Sequence, residues 1–373
     1  MKRFKSIVLS AVLVSTLIIT GGLTGCSKSS DNSSKTNSSE AKTNSSDSKS
    51  TAEEFGNYHP AMPQVSYIDE EAKIINNGTV PDEYEQPATH QGKLQYEDYK
   101  TKDYDDDEHE MEKYLVVYTP YGYDPSKEYD IMYLTHGHTG GATTWLGSPT
   151  ESHEAKHVLD HLIEDGKVRP MIVVSMTYYD DNTDENTSDY DKNLLDFFGK
   201  ELRNDIIPMV ESKYSTYAKS LDYEGFKASR NHRIMGGFSM GGVTTNLQIC
   251  ESMDYFKYYM PVSGSLYWSN FAFNDKNFDA GSKMSELITQ QGYGHDDFYI
   301  YISTGTLDFA KRIVERQVSS MKNSDMFTYG KPGEEGVNCS YGLGTNEGHN
   351  AHGRETAMFN ALPALSALIG AQQ

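Results

Sequence analysis

Residues 233–250 read RIMGGFSMGGVTTNLQIC. Arg233–Phe238 has the length and apolar content of a buried strand, and Val243–Cys250 has helical apolar spacing. Between them Gly237-Phe238-Ser239-Met240-Gly241 fits G-x-S-x-G in the strand–turn–helix context that gives the motif meaning. Glycines are needed there because strand and helix pass too close for a Cβ, and the serine is left on a strained turn. That turn lifts a hydroxyl clear of the sheet at a helix N-terminus, where the dipole favours developing negative charge. The stretch predicts a nucleophilic serine, Ser239, at the edge of an α/β sheet.

Working outward, further apolar runs recur at Leu115–Tyr118, Ile131–Leu134, Met171–Met176, Tyr258–Val262 and Phe298–Ser303. Helix-period segments such as Lys156–Ile163 and Asn193–Val210 lie between them. Strands alternating with helices imply a mostly parallel central sheet covered by helices on both faces, with the ligand site beyond the carboxyl ends of the strands. Residues 93–373 are expected to form this one α/β-hydrolase domain. Residues 52–92, polar and punctuated by proline, are expected to wrap irregularly around it.

A serine hydroxyl needs a base, an acid to orient the base, and donors for an oxyanion. In this fold the chain order is Ser, then Asp or Glu, then His. Three histidines follow Ser239: His295, His349 and His352. Asp308 closely follows the strand-like Tyr299–Ser303, and His349 lies in a polar loop after Val337–Tyr341. His295 precedes its strand and falls at the wrong end of the sheet, which leaves His352 as the rival of His349. The run His136-Gly137-His138-Thr139-Gly140-Gly141 follows Ile131–Leu134, where a backbone N–H can join that of Met240 in an oxyanion hole. It lacks the spacings of phosphate-binding glycine loops.

Together these segments resemble carbohydrate esterase family 1, the esterase-D-like group of feruloyl and acetylxylan esterases. The likeness runs through most of residues 93–369. It includes Val117–Tyr123, the His136-Gly137 loop followed by Trp145, Gly166–Pro170, Glu201–Pro208, Gly237–Gly242, Tyr255–Gly264, Gly305–Phe309 and Asn360–Pro363. The resemblance implies a triad of Ser239, Asp308 and His349, with oxyanion amides from Met240 and His138, Thr139 being the alternative to His138. Relatives often carry an aromatic soon after the histidine, whereas Asn350-Ala351-His352 follows here. Counting back from Asn360 still lands on His349. A polysaccharide or oligosaccharide ester is the implied substrate, with no cofactor and no metal. Trp145, Tyr178, Tyr179, Tyr267 and Trp268 are expected to wall a wide pocket that prefers hydroxycinnamoyl over acetyl groups. An acyltransferase with the same triad and a non-catalytic carbohydrate-binding lipoprotein are the competing readings.

The chain opens with Lys2, Arg3 and Lys5, an apolar run from Ser6 to Thr20, and Leu23-Thr24-Gly25-Cys26. This is the pattern of a lipoprotein signal peptide (1–25) with lipidation on Cys26. Residues 26–51, rich in Ser, Asn and Lys, are expected to be a flexible tether to the outer face of a bacterial membrane. Removing the three positive charges of residues 1–25 takes the net charge from −21 to −24, which argues against nucleic acid as a partner and leaves the lipid as the membrane contact. Cys250 and Cys339 are too few for a disulfide framework and are expected to stay unpaired.

His153-Glu154-Ala155-Lys156-His157 matches H-E-x-x-H, the signature of zinc hydrolases. On a helix at ~100° per residue, His153, His157 and His161 fall nearly opposite Val158, Leu159, Leu162 and Ile163, so they are expected to face solvent rather than a cleft. The acidic runs Asp103–Glu110 and Asp180–Asp191 lack EF-hand spacing and are expected to be solvated loops.

Overall fold

The structure, a computed structural model, describes residues 60–104, 110–179 and 188–372, the side chains of 188–194 excepted. The signal peptide, Cys26, the tether and most of the two acidic runs lie outside the described residues.

In chain order the strands and helices begin with β1 (Tyr67–Asp69), β2 (Ile74–Asn77), β3 (Lys93–Lys102), β4 (Glu110–Thr119) and β5 (Asp130–Thr135). A two-residue hairpin, β6 (Gly147–Ser148) and β7 (Glu151–Ser152), leads into α1 (Glu154–Glu164) and β8 (Met171–Met176). Next come α2 (Ser188–Glu201), a π-helical turn at Leu202–Ile206, α3 (Ile207–Lys213), α4 (Tyr223–Ala228), β9 (Arg233–Phe238) and α5 (Met240–Glu251). The C-terminal part holds β10 (Tyr258–Val262), α6 (Asn270–Asn274), α7 (Ala280–Gln290), β11 (Tyr299–Gly305), α8 (Lys311–Met321), β12 (Cys339–Gly344) and α9 (Ala351–Gly370).

Ten strands form one sheet in the order β1-β2-β12-β11-β10-β9-β5-β8-β4-β3. From β8 to β2 all neighbours are parallel, while β4 runs antiparallel to β8 and β3, and β1 to β2. Every residue of β5, β8, β9, β10, β11 and β12 is buried, as a sheet covered on both faces requires. Alternation sorts side chains between two cores. Leu115, Val117, Ile131 and Tyr133 join a core with α2, α3, α5, α7 and α8; Val116, Tyr118, Met132 and Leu134 join another with α1 and α9. The α/β-hydrolase reading holds.

The N-terminal wrap departs from expectation in one way. It is not irregular throughout, because β1 and β2 extend the sheet, with β2 parallel to β12 from Tyr341↔Ile74 to Gly344↔Asn77. Three- and four-residue strands of polar composition carry too little pattern to be read from sequence. Past β2, the wrap lies along α9 and α1. Gly78 exchanges two 2.8 Å hydrogen bonds with the Asn360 side chain. His157 Nδ1 donates to the Glu85 carbonyl at 2.8 Å and His161 Nε2 to that of Gln86 at 3.1 Å, with His161 stacked on Tyr84. His153 caps α1 and contacts the Thr144 carbonyl at 3.3 Å. His157 and His161 thus hold the wrap rather than face solvent, while His153 packs against the loop before α1. Periodicity identifies the apolar face of a helix, but not a distant segment that covers the polar one. Cys250 and Cys339 are both buried and unpaired.

Candidate active site

Ser239 stands between β9 and α5 with φ 57° and ψ −114°, a conformation that L-residues rarely adopt. The flanking glycines have steric cause. A Cβ on Gly237 would meet the Gly241 carbonyl oxygen at 2.3 Å, and one on Gly241 would meet that of Thr135 at the same distance. The turn is held by Ser239 N–H donating to Val262 O at 2.9 Å and by Val243 N–H donating to Ser239 O at 3.0 Å. Met240 begins α5, so its N–H has no acceptor within the helix and is available to an anion.

The loop after β5 is organised by a fully buried imidazole. His136 Nδ1 lies 2.6 Å from Gly137 O, and its Nε2 lies 2.9 Å from Thr177 Oγ1. A carbonyl can only accept, so Nδ1 carries the proton and Nε2 accepts from threonine. Burial, with Lys113 nearby, pushes the His136 pKa down to about 4, so the ring is neutral at ordinary pH. Gly137 O also accepts from Gly140 N–H at 3.1 Å. In a trans peptide the N–H of the next residue points opposite to the carbonyl, so with Gly137 O turned toward His136 and Gly140 the His138 N–H points away from them. Gly137 borders the nucleophile: a Cβ there would lie 3.1 Å from that of Ser239.

Asp308 and His349 come together from the ends of β11 and β12. His349 Nδ1 donates to Asp308 Oδ1 at 2.8 Å, and Asp308 is buried. The carboxylate also accepts from Ala310 N–H at 2.7 Å and from Ser263 Oγ at 2.6 Å. Burial alone would raise its pKa, but the hydrogen bonds from His349, Ser263 and Ala310 outweigh it and hold the acid ionised below the usual carboxylate range. The Leu307 N–H donates to Glu347 O at 2.9 Å, tying the two loops together. The His349 ring lies 4.6 Å from that of Phe238, the residue before the nucleophile, and 4.1 Å from that of Phe309. Among the described residues no hydrogen bond joins Ser239 to His349; contacts of this kind commonly tighten when substrate binds.

The other histidines lie elsewhere. His352 Nδ1 pairs with Glu347 at 2.7 Å, and its Nε2 faces Glu85 of the wrap at 3.5 Å. His295 contacts Asp296 and Thr328 before β11.

Four of the six described non-glycine residues with positive φ, namely Thr139, Ser239, Ser263 and Asn346, occupy loops at this end of the sheet. Strain concentrated where several loops converge marks a functional site. Ser263, at φ 51°, was not singled out by motif reading, although Val262-Ser263-Gly264 at a strand's carboxyl end was the available signal.

Three of the expected aromatic walls are corrected. Trp145 is completely buried beneath the loop, its indole N–H donating to Thr135 O at 2.9 Å. Tyr178 is buried with its hydroxyl 2.8 Å from Thr244 Oγ1 and its ring 4.9 Å from that of His136. Tyr179 is buried beside the same ring. These buried side chains support the loop from within. Trp268 is half-buried and stands 6.3 Å from Phe309. The aromatic surface therefore lies on the His349 side, and Phe309 belongs to it although the sequence reading passed over it.

With this geometry in view, the model of the Esterase family matches residues 108–347. The chain is 36% identical over 250 residues to endo-1,4-beta-xylanase Y of Acetivibrio thermocellus, covering 67% of this chain and 21% of that protein. It is 32% identical over 156 residues to an endo-1,4-beta-xylanase/feruloyl esterase of Xylanibacter ruminicola, covering 40% and 19%. The chain thus spans about a fifth of the length of these curated relatives. Among solved structures it is similar to a serine-to-alanine mutant of the feruloyl esterase module from Clostridium thermocellum complexed with sinapinate. The TM-score is 0.66 at 31% identity, over 79% of this chain and 95% of that one. A ferulic acid esterase from Anaeromyces mucronatus shares the fold with a TM-score of 0.58 at 17% identity, over 78% and 97%.

Proposed function

The chain belongs to the Esterase family of carboxylic ester hydrolases, and from that premise we propose that it is a carbohydrate esterase family 1 enzyme that removes hydroxycinnamoyl groups from plant cell-wall xylan. In this reading Ser239 Oγ attacks the ester carbonyl while His349 Nε2 takes its proton. The acyl carbon–oxygen bond to the sugar then breaks, His349 returns the proton to the departing sugar oxygen, and water repeats the sequence to free the acid. Asp308 fixes the Nδ1–H tautomer and stabilises the transient imidazolium. The N–H groups of Met240 and His138 receive the oxyanion.

The single observation that carries the reading is the 2.8 Å Asp308–His349 pair on the loops flanking the strained Ser239 turn. The acyl preference is supported by likeness to a feruloyl esterase module complexed with sinapinate, a hydroxycinnamate. We also propose that lipid on Cys26 displays the enzyme outside a bacterial membrane, on the strength of the Leu23–Cys26 motif. The deciding experiment sets methyl ferulate and methyl sinapinate beside acetylated xylo-oligosaccharide. Higher kcat/KM on the hydroxycinnamates is expected. Faster acetyl release would overturn the preference, and transfer to an added sugar outrunning hydrolysis would point to the acyltransferase. Mass spectrometry of the mature N-terminus is expected to find a lipidated Cys26.

A further inference from the structure

Leu307 and Phe309, on either side of Asp308, are the two most exposed large apolar side chains described, at 71% and 72%. The acid points inward and its neighbours point out. Apolar surface left in water beside a reactive centre marks a place where a ligand covers it. Phe309 bridges the His349 ring at 4.1 Å and the Trp268 ring at 6.3 Å. With Arg312, Ile313, Glu315 and Arg316 of α8, these two aromatics line an open groove of about 810 Å³.

Mechanism assigns a direction to this groove. The base that takes the serine proton hands it to the leaving oxygen, so the leaving group lies beside His349 Nε2, away from the oxyanion amides. The groove reaches His349 through Phe309, whose ring lies 4.1 Å from the imidazole, and on that side it would meet the alcohol half of the ester. For a carbohydrate ester that half is a sugar, whose flat C–H faces rest on aromatic rings. The charges refine the choice. Glu315 is neutralised by Lys311 at 2.9 Å. Arg316 lies over the Tyr267 ring at 3.8 Å, and Arg312, exposed one helical turn away on the same side, forms no ion pair among the described residues. In a chain of net charge −21, two guanidinium groups at the rim of an aromatic groove form a local exception, and their planar donors suit a carboxylate.

We propose that this groove is the leaving-group subsite and that it selects a sugar chain bearing a carboxylate, a hexuronate. The proposal rests on the esterase reading above for the role of His349. It is tested with two feruloylated xylo-oligosaccharides that differ only in a hexuronate branch. The acidic ester is expected to show about tenfold higher kcat/KM at low salt, the size of one or two charge-assisted contacts in partly exposed surroundings. The ratio should shrink as salt screens it, fall toward one in Arg312→Gln, and be partly kept in Arg312→Lys. A ratio near one in the wild type, or one untouched by Arg312→Gln, overturns the proposal. Calorimetry of the unesterified acidic and neutral oligosaccharides with the Ser239→Ala protein separates this outcome from failure of the esterase reading. If neither ester is cleaved, tighter binding of the acidic chain still supports the subsite, whereas equal binding overturns it.

Discussion

Two histidines three residues apart, His349 in the loop leading into α9 and His352 in its first turn, each pair with a carboxylate. His349 meets Asp308 at 2.8 Å and His352 meets Glu347 at 2.7 Å, each through Nδ1. By local geometry they are interchangeable. Their surroundings differ: His349 lies against Phe238 at the serine turn and against Phe309, while His352 turns toward Glu85 of the wrap. Asp308 is drawn from the end of β11 and held by Ser263 and Ala310. Glu347 lies only five residues before its histidine and accepts from Thr356 at 3.2 Å. A dyad becomes catalytic by the strand end it is anchored to and the atom its free nitrogen faces, not by its own bond length.

The comparison is broken most directly by removing one histidine at a time. His349→Ala should lower kcat for ester hydrolysis by ~10⁴-fold or more, as should Ser239→Ala, because members of one catalytic unit fail together. His352→Ala should cost less than about tenfold. Exchanged phenotypes in steady-state kinetics would put the base on the other pair. Next in size is Asp308→Asn, which keeps the shape but supplies an amide where the ring's Nδ1–H needs an acceptor. A loss of ~10³-fold or more is expected, with folding intact by circular dichroism. Glu347→Gln, the matching change on the other pair, should leave kcat within a few fold of wild type.

Ser263 offers a subtler probe. Its hydroxyl donates to Asp308 from a residue held at φ 51°. Ser263→Ala should reduce kcat by about tenfold, as one charge-assisted hydrogen bond is lost. The Asp308 pKa should also rise, moving the acid limb of the pH–rate profile upward. Ser263→Gly should lose the same activity but be the more stable of the two by thermal melting, since glycine adopts positive φ without strain. Equal activity in all three proteins would make Ser263 a turn residue only.

Where the sequence was legible, it was through glycine punctuation. Gly237 and Gly241 are fixed by contacts a Cβ would make impossible, so the nucleophile's turn shows in the motif itself. Asp308 was placed by fold order and a strand end, which survive in one dimension; the same signals left His349 beside His352, and the family register counted back from Asn360 chose between them. The aromatic walls were not legible, because Trp145 and Phe309 differ in whether they point under a loop or out of it. Trp145 is buried by its bond to the Thr135 carbonyl, and Phe309 is pushed out because the neighbouring Asp308 must point in. The histidines of α1 were misjudged for the same reason, since what covers a polar face arrives from residues 84–86, some seventy positions away.

The smallest expected effect falls on stability and sharpens the contrast by pH. The His352 pKa is raised, first by its hydrogen bond to Glu347, against the opposing effect of partial burial, with Glu85 and Glu355 adding to the attraction. A histidine whose folded pKa lies above its unfolded value contributes stability in full below the unfolded pKa, roughly 6.5, and loses it as pH rises through the folded one. The side chain is 41% exposed, so solvent screens much of the attraction and the contribution should be about 1 kcal/mol or less. His352→Ala should therefore melt a few degrees below wild type near pH 6, and the gap should narrow toward pH 8.5 as the imidazole loses its charge. Loss of the clamp on Glu347 also loosens the loop that carries His349, so a modest fall in kcat should accompany the lower melting temperature. A melting difference that stayed constant or widened with pH would show that His352 acts through contact with the wrap rather than through its charge. It would leave the Asp308–His349 pair as the one whose ionisation matters at this end of the sheet.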